Sequence, residues 1–118
     1  RIQVVQTPFA PFPRDISVAV CRQCANPVCF KACPTGALRS DSEHGHVRVI
    51  DEPLCNGCRL CLDACPYQPR RIVLDGERHV ALKCDLCAGL PFEACVYNCP
   101  TTAILRREPQ SLFDRRGP

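Results

Sequence analysis

The feature that most constrains this chain is a run of four closely spaced cysteines in its middle. The run reads CNGCRLCLDACP, with Cys55, Cys58, Cys61 and Cys65 followed directly by Pro66. All twelve cysteines of the 118 residues fall into three such groups. A chain of this size has a small hydrophobic core, so cross-links through the cysteines should supply much of its stability.

The other two groups vary the same pattern. Their first cysteines, with that of the middle group, recur at positions 21, 55 and 84, and each group closes with C-x3-C-P. The first group reads CRQCANPVCFKACP and contains Cys21, Cys24, Cys29 and Cys33. The third reads KCDLCAGLPFEACVYNCP and contains Cys84, Cys87, Cys95 and Cys99. Repetition at this period indicates one supersecondary unit used several times.

The spacing favours iron–sulfur ligation over zinc and disulfides. C-x2-C-x2-C-x3-C-P is typical of [4Fe–4S] sites, where a tight loop supplies three thiolates. Asn56 and Gly57 both tolerate the positive φ that such a loop needs. Zinc remains the main chemical alternative, because C-x2-C pairs alone can form zinc knuckles. Neighbouring C-x2-C cysteines serve metals more often than disulfide frameworks.

Charge and composition argue against several other classes of function. The formal charge is +3, but twelve thiolates lower it by twelve and three [4Fe–4S]2+ cores raise it by six, giving about −3. We therefore predict no nucleic-acid partner. His44, His46 and His79 lie away from the cysteine groups and are predicted to be solvated. No nucleophile-and-base set or phosphate loop is present, so any substrate chemistry is expected on another chain.

Local patterns predict short elements between the groups. Residues 2–6 alternate like a strand and lead into a proline-rich extended arm, and residues 46–51 also read as a strand. Asp75-Gly76 between two apolar runs predicts a hairpin. No apolar run approaches the roughly 20 residues that cross a bilayer, so no direct membrane span is predicted.

Taken together, the three groups resemble a known family. CRQCANPVCFKACPTGAL and CNGCRLCLDACPY resemble the two groups of bacterial ferredoxins. Their order with KCDLCAGLPFEACVYNCPTTAI resembles the polyferredoxin-type electron-transfer subunits of molybdenum or tungsten bis-pterin oxidoreductases, the dimethyl sulfoxide reductase iron–sulfur subunit type. The resemblance covers about residues 18–105. It implies an α+β, bacterial ferredoxin-like 4Fe–4S fold with short hairpins and short helices, plus a third cluster-binding extension.

The resemblance also implies how the cysteines are shared. In two-cluster ferredoxins the fourth cysteine of each group ligates the cluster of the other group. Carried over, cluster A is held by Cys21, Cys24, Cys29 and Cys65. Cluster B is held by Cys55, Cys58, Cys61 and Cys33. Family members commonly carry a further N-terminal group that this sequence does not contain, so cluster C is expected to close on Cys84, Cys87, Cys95 and Cys99.

The predicted organisation follows from these assignments. It comprises an N-terminal arm (1–17), a two-cluster core (18–83), a third cluster-binding segment (84–105) and a C-terminal tail (106–118). Three [4Fe–4S] clusters correspond to about twelve irons per chain, whereas sixteen would indicate a fourth group in a longer chain.

The function implied by the resemblance is that of a non-catalytic electron-transfer subunit. It would relay electrons between a large molybdenum- or tungsten-pterin catalytic subunit and an external carrier, which a further electron-carrier subunit could hold. The catalytic partner could be of the aldehyde oxidoreductase, aromatic acyl-CoA reductase or formate dehydrogenase type. The alternatives are a free-standing soluble polyferredoxin and a zinc-binding interaction module. Unpaired thiolates suit the cytoplasm, and co-export with a partner to the periplasm is the alternative location.

Overall fold

The fold consists of short hairpins and single-turn helices. The computed structural model describes residues 2–9 and 12–106, and side chains for residues 2–4 and 18–106. The strands are β1 (Gln3–Phe9), β2 (Phe12–Ala19), β3 (Leu38–Asp41), β4 (Val47–Ile50), β5 (Val73–Asp75) and β6 (Val80–Leu82). The α-helices are α1 (Val28–Ala32), α2 (Leu60–Ala64) and α3 (Ala94–Tyr97), and residues Glu52–Leu54 form a 3-10 turn. The predicted short strands and short helices are confirmed.

The chain divides into two compact units, residues 1–88 and 89–118. The first contains all six strands with α1 and α2, and the second contains α3. The boundary falls within the third cysteine group. The predicted division at residues 17, 83 and 105 stays a prediction, and the predicted tail lies outside the described residues except for Arg106. Within the described residues no helix is long and apolar enough to cross a bilayer.

The N-terminal residues form a hairpin where the sequence predicted one strand and an extended arm. β1 pairs antiparallel with β2, and the register is irregular around Pro8. A two-stranded sheet leaves one edge of each strand free, so a proline without an N–H can lie in it at little cost. The side-chain amide of Gln3 donates to the backbone oxygen of Arg70 at 2.8 Å, which attaches this hairpin to the rest of its unit.

The other two hairpins carry the same turn. β3 pairs with β4 so that Asp41 lies opposite Val47, and β5 pairs with β6 so that Asp75 lies opposite Val80. The connecting loops are residues 42–46 and 76–79. The hairpin predicted from Asp75-Gly76 is therefore present, and its loop extends to four residues.

An aspartate at the end of the first strand stabilises each of these turns. The Asp41 carboxylate accepts the backbone N–H of Glu43 at 3.0 Å, and Asp75 accepts that of Glu77 at 3.0 Å. The second oxygen contacts a basic side chain three residues on, the His44 ring in one turn and the guanidinium of Arg78 in the other, both at 2.8 Å. The internal repeat thus includes the hairpin turns as well as the cysteines.

The hydrophobic core is built around cysteines. Its buried members are Leu38, Cys61, Leu62, Ile72 and Ala81. Cysteines from both of the first two groups pack against them, namely Cys29, Cys33 and Cys55. An apolar core this small should be marginal without the additional cross-links that metal clusters provide.

Candidate metal centres

The three cysteine groups share one local geometry. In each, a helix of four or five residues carries the third cysteine at its second position: Cys29 in α1, Cys61 in α2 and Cys95 in α3. The fourth cysteine follows the helix, and its N–H donates to the carbonyl three residues back at 3.2–3.3 Å. The proline after each fourth cysteine cannot donate a backbone hydrogen bond and disfavours continuation of the helix. The sequence repeat is therefore also a structural repeat.

The residue before the second cysteine has a positive φ in all three groups. This residue is Gln23 (φ 51°), Gly57 (φ 69°) or Leu86 (φ 52°). In the first two groups this turn lies between two cysteines that line the same cavity. Gly57 was predicted to serve this role, whereas Asn56 is not among the positive-φ residues and Arg59 is, at φ 68°. Nothing in the sequence at Gln23 or Leu86 signals this conformation.

One cavity lies between the first two groups and is the candidate site for cluster A. Its volume is about 150 Å³. The four cysteines assigned to cluster A by resemblance all line it: Cys21, Cys24, Cys29 and Cys65. Burial, and next the charge of Cys21, raises the pKa of the Cys29 thiol. A thiol with a raised pKa stays protonated at neutral pH and loses its proton only when it binds a metal.

A second, tighter cavity is the candidate site for cluster B. The four cysteines assigned to cluster B line it: Cys33, Cys55, Cys58 and Cys61. Burial, and next the charges of Cys55, Cys33 and Cys58, raises the pKa of Cys61 to about 11. The same cavity therefore brings the Cys61 thiol near the three other cysteines that a shared metal would require.

Both sets of sulfurs receive hydrogen-bond donors. In the first cavity the backbone N–H of Arg71 donates to Cys65 Sγ at 3.4 Å, and in the second that of Ala81 donates to Cys55 Sγ at 3.3 Å. Partial burial raises the pKa of Cys33, but the Thr35 hydroxyl and nearby backbone N–H groups outweigh it and lower that pKa to about 7. Donors to sulfur stabilise thiolates and set cluster potentials.

The position two residues after the fourth cysteine also supplies a hydroxyl in each group. Thr35 lies 3.5 Å from Cys33 Sγ, and Thr101 lies 3.7 Å from Cys99 Sγ. Tyr67 occupies this position in the middle group, and its longer side chain reaches Cys24 Sγ at 3.7 Å. The Arg22 guanidinium covers the Tyr67 ring at 4.5 Å. The middle group therefore contributes to the first cavity through Tyr67 as well as Cys65.

With four thiols and donors to sulfur in each cavity, the ligand chemistry suits a [4Fe–4S] cluster at both places. The second cavity measures only about 10 Å³, so its loop must move outward to admit a cubane. The described cysteines are free of disulfides. Zinc fits less well, because tetrahedral zinc needs neither the repeated closing C-x3-C-P nor the array of donors to sulfur.

The third group is described in two parts. Cys84 and Cys87 belong to the first compact unit, while Cys95 and Cys99 belong to the second. In the first part the Asp85 carboxylate accepts the N–H of Cys87 at 3.0 Å. In the second, backbone N–H groups led by that of Ile104, with the Thr101 hydroxyl, lower the pKa of Cys99. Their joint ligation of cluster C stays a prediction.

Two polar side chains, Lys83 and Gln23, connect the first cysteine group, strand β4 and the start of the third cysteine group within the first unit. The Lys83 ammonium donates to the carbonyls of Arg48 and Cys84, the latter at 3.1 Å. Gln23 donates to the same two carbonyls, and its side-chain oxygen accepts the Arg48 N–H at 2.6 Å. Lys83 directly precedes Cys84, and Lys31 and Arg59 lie within the first two cysteine groups, so their charges are candidates for tuning the clusters from the sequence alone. Nothing in the sequence points to Gln23.

Other candidate side chains divide between packing and exposure. Leu62 packs in the core, whereas Leu60 and Tyr97 are exposed. The Tyr97 ring stacks on Phe92 at 4.6 Å between centroids. The apolar residues between cysteines, Leu60, Leu62, Val96 and Tyr97, are candidates for cluster packing or for a partner interface, with packing preferred. The exposure of Leu60 and Tyr97 argues against packing at those two positions.

The three histidines are exposed, as predicted. Asp41, Glu43 and His44 bring possible metal-binding atoms together. The corresponding turn of the other hairpin has the same aspartate geometry with Arg78 in place of His44. We therefore interpret the Asp41 group as a turn-stabilising contact.

Comparison with known proteins decides the family. The sequence matches the family described as 4Fe-4S dicluster domain over residues 14–109. The chain belongs to this 4Fe-4S dicluster family. The predicted resemblance to iron–sulfur subunits is thereby confirmed.

Curated relatives of this dicluster protein include subunits of oxidoreductases. It is 38% identical over 104 residues to NADH-dependent phenylglyoxylate dehydrogenase subunit beta of Aromatoleum evansii, covering 88% of this chain and 22% of the relative. It is 40% identical over 101 residues to the probable anaerobic dimethyl sulfoxide reductase chain YnfG of Escherichia coli (strain K12), covering 82% and 47%. It is 41% identical over 98 residues to an iron-sulfur protein of Rhodospirillum rubrum, covering 71% and 50%. The chain thus spans half the length or less of these relatives.

Proposed function

We propose that this chain is an electron-transfer subunit that holds three [4Fe–4S] clusters, one more than its family's description implies, and relays electrons between a catalytic subunit and an external carrier. The observation that carries the proposal is the pair of four-cysteine cavities within one compact unit. Each bound cubane would accept and release one electron. The protein's own residues supply the ligands, tune the potentials and exclude water.

The cavities share one hydrophobic core, which supports electron transfer between them. Cys29 of the first cavity packs against the same buried side chains as Cys33 and Cys55 of the second. The charge of Cys29 also contributes to raising the pKa of Cys61. Ligands of the two proposed clusters therefore lie close together across an apolar, tightly packed region. A short path through such a region favours electron tunnelling between the two clusters, and its apolar side chains keep water away from them.

The cavity linings support the crossed assignment of ligands. Cys65 lines the cavity of the first group, and Cys33 lines the cavity of the middle group. Each cavity therefore has three cysteines from one group and the fourth from the other. We infer that neither cluster belongs to a single sequence group.

A pair of reciprocal variants tests this function and its ligand assignment. Cys65→Ser should damage the cluster held with Cys21, Cys24 and Cys29, and leave the other EPR signal of the pair in place. Cys33→Ser should do the reverse. Each variant serves as the control for the other. Loss of the middle-group cluster in Cys65→Ser would overturn the crossed assignment, and a chain that binds no iron at all would overturn the proposed function.

The proposed catalytic partner is a large subunit with a molybdenum- or tungsten-pterin site. The names of the relatives support an oxidoreductase partner: one is a subunit of a phenylglyoxylate dehydrogenase and one is a chain of a probable dimethyl sulfoxide reductase. A further carrier subunit would complete the route. Purification under native conditions tests the partner, because a stable large complex containing molybdenum or tungsten is expected.

The competing functions predict different results in the same preparation. A free-standing polyferredoxin would elute at the size of the chain alone and still absorb near roughly 400 nm, where thiolate-to-iron charge transfer occurs. A zinc-binding module would be colourless. The hydrogen-bonded sulfurs of both cavities favour the iron proteins over the zinc module. We propose the cytoplasm as the location, since it keeps the cysteines reduced, and co-export with a partner as the alternative.

A further inference from the structure

A buried positive charge lies in the wall of the first cavity. Lys83 exposes only 3% of its surface. No other charged residue is buried among those whose side chains the structure describes, residues 2–4 and 18–106. It lines the cavity together with Cys21 and Cys29. Its ammonium group donates to the backbone oxygens of Arg48 and Cys84.

Burying an ammonium group is costly unless hydrogen bonds and opposite charge compensate it. The two carbonyls supply hydrogen bonds but only partial charge. Burial lowers the pKa of Lys83, and negative charge on Cys21, Cys29 and Cys84, then on Asp85, opposes that effect and favours the ammonium form. A cysteine-bound cluster in this cavity would retain net negative charge beside the ammonium.

The second cavity has no matching buried cation in the described part of the chain. Its wall includes Arg59, but that side chain is exposed, so solvent and salt screen its charge. Hydrogen bonding does not produce the same contrast. Each cavity has a backbone N–H on one sulfur and a hydroxyl beside another, and each has further backbone donors, on Cys29 in the first cavity and on Cys33 in the second. Full charge is what distinguishes the first cavity.

We propose that Lys83 raises the reduction potential of cluster A selectively over that of cluster B. A fixed positive charge stabilises the reduced form of a cluster, which carries one more negative charge than the oxidised form. The effect weakens with distance and is greatest where water is excluded. Lys83 therefore biases an electron shared by the pair toward cluster A, on the side of Cys84. This proposal rests on the proposed function and on the crossed ligand assignment.

Gln23 provides a matched control for the charge. Its side-chain amide donates to the Cys84 carbonyl at 2.7 Å and to the Arg48 carbonyl at 3.2 Å, the same two acceptors as Lys83. Gln23→Met removes uncharged donors from these carbonyls together with the acceptor of the Arg48 N–H, and Lys83→Met removes charged donors. A purely scaffolding role for Lys83 predicts similar effects from the two variants, whereas a charge effect does not.

The test is an EPR-monitored redox titration of the full chain carrying its clusters, with signals A and B assigned from Cys65→Ser and Cys33→Ser. Lys83→Met and Lys83→Gln should lower the potential of cluster A relative to cluster B. We expect at least a tenfold change in electron distribution between the two, equivalent to about 59 mV for one electron. Lys83→Arg should keep the wild-type distribution, and Gln23→Met should change it less than threefold.

Several results would overturn the proposal. Equal shifts of both clusters, no shift in Lys83→Met, or the same shift in Gln23→Met would each exclude a selective charge effect. If cluster A is lost from both Lys83→Met and Lys83→Gln but kept in Lys83→Arg, the lysine serves assembly and the tuning role is wrong. Absence of any cubane signal in the wild-type chain would instead reject the proposed function.

Discussion

Gly57 meets two separate demands in the loop between Cys55 and Cys58. Its φ is +69°, and a Cβ placed on it would lie 2.3 Å from the backbone oxygen of His79. Real Cβ atoms do not approach a backbone oxygen so closely. Gly45 has a similar φ of +72°, but a Cβ added there would meet no atom within 4 Å. The two glycines therefore separate the cost of backbone conformation from the cost of close contact.

We predict that Gly57→Ala disrupts cluster B and that Gly45→Ala does not. Both variants bear the roughly 1–2 kcal/mol cost of a left-handed non-glycine residue. Only Gly57→Ala must also move the β5–β6 turn away from the loop that supplies Cys55 and Cys58. Thermal unfolding and the iron content per chain measure the two effects. Equal iron content and equal melting temperatures in the two variants would contradict the prediction.

At the scale of single residues, the sequence identified the candidate metal ligands better than it identified backbone conformation. Cysteine spacing was sufficient to nominate the ligands, because metal geometry restricts which spacings can converge. Gly57 was identifiable because glycine is the usual residue at positive φ. Gln23 adopts the same conformation with an ordinary side chain, and its hydrogen bonds to Arg48 and Cys84 join residues far apart in sequence. No local pattern could have indicated those contacts.

At the scale of elements, the β3–β4 and β5–β6 hairpins have the same aspartate-stabilised turn but differ in loop length and in the contacts of the loop. Both turns use an aspartate carboxylate to hold the N–H two residues on. The first loop is one residue longer, and Gly45 has open space around it. The second loop is fixed by the contact between the His79 carbonyl and Gly57. The hairpins should therefore differ in their tolerance to changes in loop length.

We predict that deletion of Gly45 is tolerated, because it gives the first loop the length of the second. The melting temperature should stay within about 4 °C of the wild type, the effect of about 1 kcal/mol in a small domain. Insertion of one glycine between Arg78 and His79 is the reciprocal control. It should displace the His79 carbonyl and reduce cluster B absorbance. A chain damaged more by the deletion than by the insertion would contradict this interpretation.

The sequence anticipated the hairpin near Asp75, where turn residues interrupt apolar runs, and a strand over residues 46–51, but not the pairing of that strand with residues 38–41. It did not anticipate that the proline-rich N-terminal stretch would pair as β1 and β2. Prolines argue against central strands, but a two-stranded sheet contains only edge strands. Whether a strand lies at an edge is a tertiary property, so it could not be read from the local composition.

At the scale of the whole molecule, the third cysteine group is set apart from the other two. The first two groups and both cavities lie within residues 1–88, whereas the third group extends across the unit boundary after Ala88. Under the proposed assignment, cluster C shares no ligand with clusters A and B. Its loss should therefore leave the crossed pair intact.

We predict about twelve irons per chain in the wild type and about eight in Cys95→Ser, as each cubane holds four. The EPR signals of clusters A and B should persist in this variant. Cys65→Ser is the control, since it should lose iron from the crossed pair while retaining cluster C. Loss of signal A or B in Cys95→Ser would contradict a self-contained third site. A wild-type content near sixteen would contradict three clusters.

The crossed cavities have a consequence for how the chain withstands oxidative damage. Under the proposed crossed assignment, with Cys65 bound beside the first group and Cys33 beside the middle group, each cluster alone would bridge the two halves of the core. Because either bridge would be sufficient, destruction of one cluster would leave the two halves joined by the other. The sulfurs of the vacated cavity would then stay close together, which would favour rebinding of a cluster over unfolding of the segment.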